Sequence, residues 1–147
     1  MAFTLPDRMI KRLFDKEVQA LITADYEEGT FTATLTGTTA NPTTPVTATA
    51  NYVRIGNLVT VNISIINADC TGASGTIGIT GLPFTAKGYR CTGSAISNAF
   101  GTTVANSYID PNSAKLVFVG SLLGTGVAFS GTLTARTFYT SLTYKVT

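Results

Sequence analysis

Apolar and polar residues alternate with a period of two along most of the chain. Phe31, Ala33 and Leu35 are separated by threonines, and the same alternation continues through residues 59–65 and 133–146. Successive side chains of a β-strand point to opposite faces, so this period predicts half-buried strands. Shorter candidate strands occupy residues 46–50, 52–55, 76–80, 94–100, 104–109, 115–119 and 127–130.

Turn sequences separate these candidate strands at short intervals. Gly56-Asn57 and Asp110-Pro111 are two of them, and Gly, Asn, Asp and Pro favour turns because of their backbone preferences and local hydrogen bonds. About eight to ten short strands at such intervals are typical of a β-sandwich or a jelly roll. We therefore predict a mainly β protein with an antiparallel β-sandwich or jelly-roll-like knob.

The first 28 residues follow a helical period instead. Seven apolar side chains recur at spacings of three and four, which predicts one short amphipathic helix. They are Met9, Ile10, Leu13, Phe14, Val18, Leu21 and Ile22. Thr4 is suited to the N-cap, and Pro6 lies in the first turn, where its missing N–H costs little.

A lone helix of about 18 residues is marginally stable in water, so this apolar stripe needs a surface to cover it. That surface can be the remainder of the chain, other copies of the helix or another protein. The terminal position and distinct composition favour the last two. We predict an N-terminal helical arm for anchoring or oligomerisation over residues 1–28 and a β-sandwich knob over residues 29–147.

Charge is concentrated in the N-terminal part. Residues 1–28 contain four basic and six acidic residues and residues 29–147 contain six and two, so their net charges are −2 and +4. The outward positions of the predicted strands carry mostly Thr, Ser, Asn and Gly. Weakly polar faces with little charge are tolerated where subunits meet, so the composition predicts a homo-oligomer.

The composition also excludes several classes of function. The sequence has no His, so a Ser/His/Asp triad, a Cys/His dyad and a His-ligated metal site are impossible within one chain. A net charge of +2 gives no strong basic field for nucleic acid. No apolar stretch reaches the ~18 residues of a membrane helix, and charges near the N-terminus occupy the place of a signal peptide core. We expect a non-enzymatic protein without cofactor, metal, nucleic-acid partner or membrane partner.

Few residues of the knob offer chemistry. Asp69 and Asp110 are its two carboxylates, and a glycosidase needs such a pair, but both lie in turn sequences where an Asx-turn explains them. Cys70 and Cys91 lack a CxxC spacing. Buried free thiols are favoured, and a disulfide between the two cysteines remains the alternative. Sugars stack on aromatic rings, so glycan recognition also stays open, although burial in a core or subunit interface explains each tyrosine. The tyrosines considered are Tyr52, Tyr89, Tyr108, Tyr139 and Tyr144.

Three segments of the knob form a recognisable series. They are residues 29–36 (GTFTATLT), 52–61 (YVRIGNLVTV) and 79–84 (ITGLPF). In that order, followed by an alternating C-terminal strand, they resemble the small β-sandwich domains at the distal ends of bacteriophage tail fibres and tailspikes and in other phage surface knobs. Phe31 and Ala33 stand where that family commonly has Trp and Pro.

The resemblance implies a homotrimer on the virion surface, assembled in the cytoplasm of the host bacterium. We expect a virion structural protein attached by its N-terminal segment, as a capsid decoration or cement protein or as a short head or tail fibre. The alternative is a receptor-binding fibre tip that recognises a host cell-surface glycan. Fibres of the family have a long shaft before the tip, whereas a helix within the first 28 residues spans roughly 30 Å, so we expect the knob to be mounted almost directly on the particle.

Overall fold

The computed structural model describes residues 15–16, 25–98, 105–120, 126–129 and 134–147. Within these residues the chain forms eight β-strands. They are β1 Tyr26–Gly37, β2 Thr47–Ile55, β3 Leu58–Ala68, β4 Ile77–Thr80, β5 Cys91–Ser97, β6 Ala105–Ile109, β7 Leu116–Gly120 and β8 Arg136–Lys145.

The strands form one antiparallel sheet that closes on itself. The order around the barrel is β1-β2-β3-β8-β5-β6-β7-β4, and β4 pairs again with β1. In each half of the chain, three consecutive strands lie side by side and the fourth returns beside the first, which is a Greek key. The barrel therefore consists of two Greek keys, one from β1 to β4 and one from β5 to β8.

The two keys are joined by seams of unequal length. The pairing of β3 with β8 runs from Leu58↔Lys145 to Ala68↔Arg136, with a bulge near its end. The pairing of β4 with β7 consists of Gly78↔Val117 and Ile79↔Leu116. One seam therefore carries most of the hydrogen bonding between the two halves.

Inward-facing side chains fill the barrel. In β3, Val59, Val61, Ile63 and Ile65 are at most 3% exposed, whereas the residues between them face outward. The largest fully buried side chains are Tyr144, Phe118, Phe138, Leu35, Ile65, Ile77, Ile79, Ile109, Leu116, Leu142, Val59 and Val61. This alternation confirms the period of two that the sequence shows.

The mainly β, antiparallel prediction is confirmed. The pairing forms one closed sheet, and a two-layer sandwich or jelly-roll arrangement stays a prediction. The seven apolar residues of the predicted N-terminal helix, Met9 to Ile22, all lie outside the described residues. Asp15 and Lys16, from the charged side of that helix, have helical backbone and are exposed.

Some predicted strand limits are corrected. The candidates at 46–50 and 52–55 are one strand, β2, because Asn51 between them points outward and leaves the alternation intact. The strand predicted at 127–130 is wrong over the described residues, since Gly126 and Ala128 form isolated bridges to two different partners. The predicted turn at Gly56-Asn57 is confirmed as the β2–β3 hairpin, with Gly56 at a left-handed φ of 58°.

Candidate functional site

The start and the end of the described barrel lie at the same end of the molecule. The backbone N–H of Gly56 donates to the carbonyl oxygen of Asp25 at 2.6 Å, and that of Val146 donates to the carbonyl of Asn57 at 2.8 Å. The hairpin turn is therefore flanked by the residue that precedes β1 and by the residues that follow β8. We call this end of the barrel the charged end.

Most charged residues from residue 25 onward belong to the charged end. They are Asp25, Glu27, Glu28, Arg54, Lys87, Arg90, Asp110, Lys115 and Lys145. The two remaining charged residues lie at the opposite end. Asp69 directly follows β3, and Arg136 is the first residue of β8. The described part of the opposite end includes residues 38–46 and 69–76, which connect β1 to β2 and β3 to β4. Charge is thus sorted along the axis of the barrel.

A network of side chains at the charged end connects the start of β1 to the elements beside it. The Tyr52 hydroxyl donates to Glu27 Oε1 at 2.6 Å, and Arg54 Nη1 lies 3.7 Å from Glu27 Oε2. The Arg54 guanidinium also lies 5.1 Å from the centre of the Phe84 ring. The hydrogen bond to the Glu27 carboxylate raises the pKa of Tyr52, because it favours the protonated phenol. β1, β2 and the loop after β4 are therefore tied together where the N-terminal segment leaves the barrel.

An uncharged surface covers the outer side of β2, β3, β8 and β5, except for Lys145 at the end of β8, and we call it the wall. One row of directly opposed residues crosses all four strands: Asn51, Asn62, Ser141 and Ser94. All four side chains are exposed. Amide and hydroxyl groups both donate and accept hydrogen bonds without carrying charge. The row is thus suited to a neutral polar partner.

A second row of the wall adds apolar contact area. Ser64 lies opposite Tyr139, and Tyr139 lies opposite Ile96. Ile96 is 70% exposed and Tyr139 is 45% exposed. The two rows border a shallow groove of about 420 Å³. Its lining combines amides and hydroxyls with the aromatic ring of Tyr139 and the exposed aliphatic side chain of Ile96.

A smaller cavity of about 320 Å³ lies at the opposite end, and we call it the tip pocket. It lies between Pro45 and its neighbours on one side and the end of β3 on the other. A bulge there places Asn67 at a left-handed φ of 55° and leaves Ile66 60% exposed. Asp69, also at this pocket, accepts hydrogen bonds from the N–H and the hydroxyl of Thr71, which lower its pKa. The predicted Asx-turn at Asp69 is confirmed.

The two carboxylates of the knob do not form a pair. Asp69 follows β3 at the opposite end, whereas Asp110 follows β6 at the charged end. Asp110 Oδ1 accepts a hydrogen bond from Arg90 Nε at 2.7 Å, so its side chain forms an ion pair where the sequence predicted an Asx-turn. The separation of the two residues removes the geometry of a two-carboxylate glycosidase, which needs about 5–10 Å between carboxyl groups.

The cysteines are free thiols in different surroundings. Cys70 is fully buried, and burial raises the pKa of its thiol to about 11. Cys91 is partly exposed, and its Sγ donates to the carbonyl of Tyr89 at 3.5 Å. The first is an inert core residue, since the thiolate is the reactive form.

The candidate tyrosines divide by exposure. Tyr144 is 1% exposed and donates to the carbonyl of Phe84, and Tyr52 and Tyr108 are half-buried. Tyr89 is 89% exposed in the loop before β5, and Tyr139 is exposed on the wall. Sequence reasoning missed the wall, because an outward-facing polar position in one strand does not indicate which strand will lie beside it.

Within the described ranges, no group of three or more His, Cys, Asp or Glu side chains is arranged to hold a metal ion. No helix in the part of the chain that the structure describes has the length and apolarity needed to cross a membrane. No family model matches this chain, and no curated protein sequence matches it at a significant level.

Proposed function

We propose that this chain is a non-enzymatic bacteriophage virion protein, a homotrimeric surface knob attached to the particle by its N-terminal segment. It would serve as a capsid decoration or cement protein or as a short head or tail fibre. The observation that carries the proposal is the sorting of charge along the barrel. The N-terminal segment enters at the charged end, while the wall and most of the opposite end are free of charge.

This sorting gives the knob a direction. A segment that attaches to the particle and enters the barrel at the charged end places that end next to the particle. The opposite end then points outward, with the loops at residues 38–46 and 69–76 at the tip. An attached knob needs such an arrangement, with its mount and its free surface on opposite sides.

The segments that resemble phage knobs support the same proposal by their position. Residues 29–36 lie in β1, residues 52–61 form most of the part of the β2–β3 hairpin in which the two strands pair, and residues 79–84 contain the end of β4. All three belong to the first Greek key. An eight-stranded body of two Greek keys is also the composition of a jelly roll, so we infer that the knob has this two-layer character.

The first experiment is to measure the copy number of the protein per purified virion, by quantitative mass spectrometry against the major capsid protein. Copies comparable with the capsid protein would support a shell decoration. A few multiples of three would support a tail or head fibre. Absence from purified particles would overturn the proposal.

A variant tests the mount. Leu13→Glu combined with Phe14→Glu places two charges in the apolar stripe and should reduce incorporation into particles at least tenfold. The matched control is Asp15→Lys combined with Lys16→Glu, which exchanges two exposed charges beside it and should incorporate normally. Circular dichroism should show the same β-sheet signal for both variants. Normal incorporation of the first variant would contradict the anchoring role.

The tip pocket favours the second candidate function, a receptor-binding tip that recognises host-surface glycan. It lies away from the mount, and the Asn67 amide and the Thr44 hydroxyl in its lining can bond the hydroxyls of a sugar. The full chain should then bind cells of the host bacterium saturably. Ile66→Glu should weaken that binding at least tenfold. The control Tyr89→Ala, at the charged end, should leave the binding unchanged. A lack of saturable binding by the wild-type chain would exclude this function.

A further inference from the structure

We infer that the wall is the surface through which copies of this chain contact one another. The inference rests on the proposed homotrimer and assigns it a face. The wall is the outer side of β2, β3, β8 and β5, centred on the row that contains Asn62 and Ser141 and on the exposed pair Tyr139 and Ile96.

The distribution of charge favours contact between copies at this face. Residues 25–147 carry six basic and five acidic residues, and nine of these eleven lie at the charged end. A contact between copies through that end would have to desolvate these charges. The wall carries no Lys, Arg, Asp or Glu between the levels of Thr92 and Ile96 on β5, and the basic residues Lys145 and Arg90 lie beyond it at the charged end. Two walls can therefore approach without placing like charges together.

The exposed pair on the wall gives the contact an apolar centre. Ile96 and Tyr139 are opposed in neighbouring strands and are 70% and 45% exposed. Interfaces between proteins are depleted of charged residues at their centres and enriched in aromatic residues, with polar groups around them. The amide and hydroxyl row beside this pair supplies those polar groups. A sugar would gain little from Ile96, which has no group to bond its hydroxyls, so the second copy is the better occupant.

The topology decides how the copies must meet. Each of the four strands of the wall is already paired on both sides, β2 with β1 and β3, and β5 with β8 and β6. A closed barrel leaves no strand edge for a partner to extend. The copies therefore contact through side chains of the wall, and around a threefold axis each wall contacts two neighbouring copies with different parts of its surface.

The experiment uses the full chain and light scattering coupled to size-exclusion chromatography, under reducing conditions. The wild-type protein should have three times the chain mass of 15.4 kDa. Ile96→Arg and Asn62→Arg place a cation on the wall and should reduce the mass to that of one chain at the same concentration. The matched control is Thr85→Arg, which adds the same charge to an exposed loop at the charged end and should leave the mass unchanged.

Hydroxyl-radical footprinting of the unmodified chain provides a second readout that needs no variant. Tyr139 should be protected from labelling at concentrations where the wild-type protein is associated and labelled on dilution. Tyr89, which is 89% exposed, should be labelled throughout.

The outcomes separate the inference from the proposal on which it rests. A wild-type mass of one chain at all concentrations would overturn the homotrimer itself. An associated wild type in which both wall variants stay associated and Tyr139 is labelled would leave the homotrimer standing and overturn the assignment of the wall. Wall variants that stay associated but lose binding to host cells would overturn it too, in favour of a glycan site.

Discussion

A pair of hydroxyl groups is buried inside the barrel. Ser107 is fully buried and Thr140 is 5% exposed, and their oxygens are 2.8 Å apart. Thr140 Oγ1 also donates to the carbonyl of Ser94 at 3.0 Å, so the Ser107 hydroxyl donates to Thr140. The two residues belong to β6 and β8, which flank β5, and Ser107 lies opposite Gly93 of that strand. A Cβ atom at Gly93 would lie 2.9 Å from the Cβ atom of Leu142, so the missing side chain allows β5 and β8 to lie close together.

Removing one hydroxyl of this pair should destabilise the protein. Thr140→Val leaves the Ser107 hydroxyl buried without its acceptor, which costs about 1–3 kcal/mol. The double variant Ser107→Ala with Thr140→Val removes both groups and should be closer to the wild type than Thr140→Val is. Urea denaturation of the three proteins measures this difference. A double variant less stable than the single one would contradict the role of the pair.

Burial of Tyr144 should make the stability fall at alkaline pH. Burial raises the pKa of its phenol to about 12 from the usual 10.0, so the unfolded chain ionises first. The contribution to the free energy of unfolding is complete below pH 10 and is lost as the pH rises toward 12. Tyr144→Phe should flatten this decline, as measured by urea denaturation from pH 8 upward. The comparison is made in a Cys70→Ala background, because the raised pKa of that thiol acts in the same direction from pH 9.

Among the elements, β4 is the shortest strand, and it closes the barrel. It pairs with β7 at two positions, one of which is Gly78 opposite Val117. A Cβ atom on Gly78 would lie 2.9 Å from the backbone oxygen of Leu116, which cannot move without opening the seam. The glycine is therefore needed for the close approach of the two strands.

Adding one methyl group at this seam should be costly. Gly78→Ala should lower the free energy of unfolding by about 1–3 kcal/mol, the usual cost of overpacking. Hydrogen exchange should then accelerate more in β4 and β7, which border the seam, than in β3. The control is Gly120→Ala in β7, where the new Cβ would meet only a Val127 methyl group at 3.8 Å. Equal loss of stability in both variants would show that strand propensity, not the seam, is responsible.

The elements differ in how far the sequence predicts them. β3 follows its alternating pattern from Val59 to Ile65, because one face is buried along that stretch. The candidate strand at residues 127–130 does not form over its described part, where Ala128 and the neighbouring Gly126 make only isolated bridges. An alternating pattern indicates a face that can be buried, whereas a strand also needs a partner of the right length.

The whole molecule should unfold as one unit. Neither Greek key is closed by itself, since β3 of the first key pairs along most of its length with β8 of the second. Urea unfolding followed by far-ultraviolet circular dichroism and by the reactivity of Cys70, which is buried in the native protein, should therefore give coincident transitions. Two separate transitions would show that one key retains structure without the other.

Features that depend on neighbouring residues follow from the sequence. These are the period of two in the strands, the hairpin turn at Gly56 and the Asx-turn at Asp69, because local backbone preferences and short-range hydrogen bonds produce them. The choice of neighbouring strands depends on the tertiary fold. Pairing of residues as distant in sequence as Asn62 and Ser141 assembles the wall, and the same pairing separates Asp69 from Asp110 and collects the charges at one end. Alternation specifies which face of a strand is buried, but the register between distant strands is set by how their side chains pack together in the closed barrel.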